Sequence, residues 1–89
     1  MTSKNRISIL VENKEKIVTA IENVYMSKHK KMEIRTTMTT VIARDELGNV
    51  VVDAIKNEDG TYQAEISGYY LTELYNELKH PKIEEVMKC

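Results

Sequence analysis

Two turn signals, DELGN at 45–49 and NEDG at 57–60, bracket the stretch VVVDAIK at 50–56 and constrain the fold more than any other feature of the chain. Gly48-Asn49 suits the positive φ of tight hairpin turns, and Asn, Asp and Gly crowd the second turn in the same way. A strand held between two such turns has an antiparallel neighbour on each side. Its faces, Val50, Val52 and Ala54 against Val51, Asp53 and Ile55, are both largely apolar, as expected of a central strand.

The neighbours are legible by their period of two. TYQAEIS (61–67) alternates cleanly, with Tyr62, Ala64 and Ile66 on one face and Thr61, Gln63 and Glu65 on the other. Upstream, MEIRTTMTTVIA reads as one long strand within 32–44. Met32, Ile34, Thr36, Met38, Thr40 and Ile42 make its better core face, which leaves Glu33, Arg35, Thr37, Thr39, Val41 and Ala43 outward.

Helical spacing flanks this sheet. Apolar positions 7, 10, 11, 17, 18, 21, 24 and 25 predict a helix over about 8–27, with Asn13 as an N-cap if it starts later. Leu71, Leu74, Tyr75 and Leu78 predict a second helix over 69–79, which Ser67 can cap. His80-Pro81 interrupts it, and Ile83, Val86 and Met87 predict a short helix over 82–88. The expected class is α+β in the order α-β-β-β-α(-α): a three-stranded antiparallel meander with its helices packed on one face. At 89 residues the chain makes one domain, 1–89.

Composition narrows the function classes. With 42% hydrophobic and 30% charged residues the chain is globular rather than disordered. The single cysteine, Cys89, has no internal disulfide partner, and the apolar run Ile7–Val11 is too short for a signal peptide. A cytoplasmic protein without a membrane span is expected. Abundant Lys, Ile, Asn and Tyr suit an AT-rich coding sequence, such as that of a phage or mobile element. The net charge of −1 conceals a gradient: residues 1–42 carry eight Lys/Arg against four Glu, whereas 43–65 carry two against six Asp/Glu.

No catalytic signature is present, and neither an enzyme, a cofactor nor a metal is expected. His80, Cys89, Glu84 and Glu85 match no recurrent metal-ligand spacing. The α-β-β-β-α order resembles that of double-stranded-RNA-binding domains, a likeness of topology alone. It implies phosphate contacts from the first helix, the first strand–strand loop and a lysine-rich start to the last helix. Here that loop holds Asp45 and Glu46, and the last helix opens on Gly68-Tyr69-Tyr70-Leu71-Thr72-Glu73, both of the wrong sign. The basic cluster Lys28, Lys30 and Lys31, in the region reaching to Arg35, is the candidate phosphate contact.

The preferred expectation is a non-enzymatic protein–protein interaction domain, a small regulator or inhibitor that occludes a partner's surface. Its candidate contacts are Arg35, Thr37, Thr39, Val51 and Ile55 on the uncovered sheet face, with Tyr69 and Tyr70 at the helix start. A long strand at a sheet edge invites pairing with a second copy, so a homodimer through a sheet edge or face is expected. Nucleic-acid binding and sequestration of a small anionic ligand are the alternatives.

Overall fold

A computed structural model of the chain describes residues 6–79. The turn-bracketed segment forms β4 (Val50–Lys56), and it lies at the centre of a five-stranded antiparallel sheet. The other strands are β1 (Arg6–Val11), β2 (Glu33–Thr36), β3 (Thr40–Arg44) and β5 (Tyr62–Ser67), in the spatial order β1-β5-β4-β3-β2. Helix α1 (Lys14–Ile21) follows β1 and continues as a π-helical turn over Glu22–Met26; helix α2 (Leu71–Lys79) follows β5. The chain is therefore α+β, with its helices on one face of the sheet.

Both sequence-predicted turns form. Asp45 Oδ1 accepts the amides of Leu47 and Asn49 at 2.9 Å each, which sets up the left-handed Gly48 at φ +87°. Asp59 Oδ1 accepts the Thr61 amide at 3.0 Å and its hydroxyl at 2.6 Å. Tyr62, Ala64 and Ile66 point into the core, as their alternation implies.

The expected three-stranded meander is corrected at both ends. Residues 6–11 are not the start of a helix but strand β1, paired with β5 from Arg6↔Ser67 to Val11↔Tyr62. RISILV fits either period. Ile7, Ile9 and Val11 alternate onto the core side, and a branched Cβ suits the pleat. The helix starts at the alternative N-cap, where Asn13 Oδ1 accepts the Lys16 amide at 3.0 Å. The order β-α-β-β-β-β-α removes the likeness to double-stranded-RNA-binding domains.

The expected strand over 32–44 is likewise a hairpin, turning within RTTMTT. Thr37 N–H donates to the Thr40 carbonyl at 2.9 Å, and Thr37 Oγ1 accepts the amides of Thr39 and Thr40 at 3.2 and 3.0 Å. A threonine hydroxyl thus does the work that the Asp45 and Asp59 carboxylates do in the other turns. The consequence is a change of face. In a continuous strand Ile34 and Ile42 share a side, but across the turn Ile34 pairs with Ala43 and Thr36 with Val41. Val41 and Ala43 are therefore fully buried, while Met38 stands exposed at the turn.

The core lies between the sheet and the helices. Ile17 and Ile21 of α1, Leu74 of α2, and Val41, Val52 and Ile66 of the sheet are its largest fully buried side chains. Ser67 does not cap α2; its hydroxyl donates to the Val50 carbonyl at 3.3 Å, and the Leu71 amide reaches the Gly68 carbonyl instead. Gly68, at φ +102°, allows this strand-to-helix turn. A Cβ there would stand 3.0 Å from Val51 Cγ1. The expected helix over 82–88 and the His80/Cys89 set lie outside the described residues.

Candidate interaction surfaces

With every helix on one side, the other face of the sheet stands open among the described residues. Reading across its strands, one row runs Leu10, Gln63, Ile55, Thr40 and the next Ser8, Glu65, Asp53, Ile42, Arg35. Leu10 and Ile55 are 59% and 57% exposed, large values for apolar side chains within regular strands. Polar neighbours ring them: Gln63 Nε2 donates to Ser8 Oγ at 2.6 Å, and Arg6 meets Glu65 at 3.4 Å.

The sequence-predicted row is only partly assembled here. Arg35 and Ile55 do share the open face. Thr37 and Thr39 do not, because they belong to the β2–β3 turn. Val51 is corrected outright, being only 3% exposed. The register slips between Ala43↔Val52 and Arg44↔Val50, so Val51 is the extra residue of a β-bulge and turns toward Tyr25 and Gly68. Leu10 was missed because its strand was read as helix, although Leu10 falls on the outward parity of RISILV.

Two predicted groups that are far apart in sequence, Lys28, Lys30 and Lys31 and Tyr69 and Tyr70, meet in the fold. A cleft of about 300 Å³ is lined by Tyr25, Tyr69, Tyr70 and Leu47, and by Lys30 and Lys31 together with Asp45 and Glu46. Tyr70 packs edge-on against both Tyr25 and Tyr69, at centroid distances of 5.4 and 4.9 Å. Lys28 is already engaged: its ammonium pairs with Glu73 at 3.0 Å and lies 5.0 Å from the Tyr70 ring centre. Among the described residues Lys30 and Lys31 make no ion pair. Tyr69 is almost wholly exposed.

Tyr25 is the unusual member of this group. Its ring is buried, and its hydroxyl has no hydrogen-bond partner among the described residues. Burial, then the nearby Asp45, Tyr70 and Glu73, push its phenol up to about 12, so it is a neutral hydroxyl at physiological pH. Nothing in the sequence flags it, because its place in the apolar stripe of α1 reads simply as core.

A third feature borders the edge strand β2. Helix α1 packs against β1 and β3, and no helix makes comparable contact with β2. Two shallow grooves of about 420 and 490 Å³ are left between helix and strand, and both are lined by Glu22 and Ile34. Among the described residues no three His, Cys, Asp or Glu side chains converge, and no helix is long and apolar enough to cross a membrane. Comparison of the chain with protein-family models, curated proteins and solved structures gives no match.

Proposed function

We propose that this chain is a non-enzymatic protein–protein interaction domain, a small cytoplasmic regulator or inhibitor that covers a partner's surface with its open sheet face. The observation that carries the reading is the exposure of Leu10 and Ile55 in one cross-strand row, on either side of Gln63 and beside the row that holds Ser8, Asp53 and Arg35. An antiparallel sheet with one wet face ordinarily spells that face in polar residues. Two large apolar side chains exposed on that face, in a polar surround, are the kind of contact that a partner buries. The coding bias of the sequence suits a phage or mobile element as its source.

The test is capture of partners from the native host with the wild-type chain, followed by Leu10→Glu and Ile55→Glu. Each substitution removes capture of a specific partner while circular dichroism stays unchanged. Reversal of Lys28, Lys30 and Lys31 to Glu leaves capture intact. The opposite pattern, with binding that weakens steeply in added salt, identifies a nucleic-acid ligand instead.

The orphaned Tyr25 hydroxyl favours a second reading, sequestration of a small anion. The Tyr25 hydroxyl and the Lys30 and Lys31 ammonium groups have no acceptor among the described residues, and the three tyrosine rings offer flat apolar walls, although Asp45 and Glu46 line the same cleft and offset the two lysine charges. Calorimetric titration with inorganic phosphate and with benzoate checks it. Heat that vanishes in Lys30→Ala/Lys31→Ala supports the reading, and no heat from either probe rejects it.

A further inference from the structure

Among the described residues, strand β2 brings together an unpaired backbone edge, a partly apolar groove and a self-complementary charge pattern. In an antiparallel ladder, hydrogen-bonded and non-hydrogen-bonded residue pairs alternate. The Thr37 amide bonds to the Thr40 carbonyl, which sets the phase: Glu33 and Arg35 turn their backbone groups toward β3, and Ile34 and Thr36 turn theirs outward. Among the described residues no strand receives those outward groups. On the helix side, the groove near the π-helical turn is walled by Ile34, Ile21, Met26 and Met32, with Glu22, Lys30 and Lys31 beside them. The other, where Val18 sits among Lys14, Glu15, Thr19 and Glu22, is largely polar. Met26 is 63% exposed, and Ile34 is only partly covered.

We propose that β2 pairs antiparallel with β2 of a second copy, about a two-fold axis through Ile34, so that two sheets join into one of ten strands. This deepens the interaction-domain reading by naming one partner as the chain itself. The side chains select the register. Outward-facing backbone groups must meet outward-facing ones, so the axis lies at Glu33, Ile34, Arg35 or Thr36. An axis at Glu33 sets glutamate against glutamate. An axis at Arg35 sets arginine against arginine. An axis at Thr36 sets Arg35 against Thr37 and leaves no charge pair.

An axis at Ile34 sets Glu33 opposite Arg35 twice. Within one chain these two already meet, Arg35 Nε to Glu33 Oε2 at 2.8 Å. The dimer completes an alternating quartet of charges on the open side. On the helix side, each copy's Ile34, Met32 and Thr36 extend toward the other's groove, and the two α1 helices come to flank the axis. Met26 is thereby covered. Edge pairing gives the join its direction, and the apolar grooves supply the burial that four-residue strands alone lack.

The test is the mass of the full chain by light scattering and sedimentation over micromolar to millimolar concentrations, with circular dichroism as the check on folding. The wild type is expected to be dimeric. Arg35→Glu turns two cross-strand attractions into repulsions and weakens self-association by about tenfold or more. Glu33→Arg combined with Arg35→Glu restores the pattern and the dimer, and Met26→Asp weakens it. A monomeric wild type, an Arg35→Glu dimer as tight as the wild type, or a double variant that stays monomeric overturns the proposal. Leu10 and Ile55 lie away from the β2 edge, so loss of partner capture in their variants and loss of the dimer here report separately.

Discussion

Strands β5 and β2 belong to the same sheet, yet they hold opposite stations. β5 lies between β1 and β4 and beneath α2, and Tyr62, Ala64 and Ile66 are all at most 4% exposed. Among the described residues β2 has one neighbour, is separated from α1 by shallow grooves, and carries a single inward aliphatic residue that is only partly covered. The sequences, YQAEIS and EIRT, alternate equally well. Alternation therefore identifies a strand but not its station, which depends on what else packs against it. In this molecule the fully buried strand residues lie at the β5 station, and the thinly covered edge lies at β2.

The largest expected effect tests that division directly. Ile66→Ala or Leu74→Ala opens a cavity in a fully buried site and costs about 2–5 kcal/mol. Ile34→Ala, studied in dilute protein, costs about 1 kcal/mol, as befits a half-covered side chain. Urea unfolding measures all three. A cost at Ile34 equal to that at Ile66 breaks the comparison.

Glycines at the two ends sharpen it. Gly68→Ala forces a Cβ to within 3.0 Å of Val51 Cγ1 at a φ of +102°, and costs about 2–3 kcal/mol. Gly48→Ala, with φ +87° but open space around it, bears only the backbone term of about 1–2 kcal/mol. A difference in thermal midpoint between the two variants is the readout. Equal midpoints mean that Val51 yields without cost and that the bulge is loosely packed.

The smallest effect concerns Tyr25. Its hydroxyl is buried without a partner, so Tyr25→Phe leaves stability at neutral pH unchanged or raises it by up to about 1 kcal/mol. The pH dependence has a definite sign. Burial pushes the folded phenol up to about 12 from its ordinary 10.0, so between those values the folded state holds a proton that the unfolded state releases. Stability is full below pH 10 and falls as pH rises toward 12. Tyr25→Phe lessens that alkaline decline, and unfolding curves of both proteins across the range measure it. Identical declines show that the folded phenol is not held above its ordinary range.

Much of the centre was legible from residues alone. The two turns, strands β4 and β5, the Asn13 cap and the stripe of α2 rest on local chemistry: side-chain oxygens reaching nearby amides, and a period set by backbone geometry. The candidate surfaces were less legible. Arg35 and Ile55 were placed on the correct face, but Thr37 and Thr39 were not, because RTTMTT carries none of the glycine or asparagine by which hairpin turns are usually read. Val51 was misplaced because a bulge inserts one residue into the alternation. Tyr69 and Tyr70 were suspected as contacts, but their meeting with Lys30, Lys31 and Tyr25 is long-range.

The residues by themselves determined the α+β class, the central strand and the amphipathic second helix. Each is settled by interactions within a few positions along the chain. Only the tertiary structure decided that Ile7–Val11 is a strand, because a short apolar run satisfies both periods until the edge of β5 supplies its amide partners. Only the tertiary structure turned Val41, Ala43 and Val51 inward and left Leu10 outward. In a sheet, a single turn or one extra residue exchanges the faces, and that exchange is decided by which strand lies alongside.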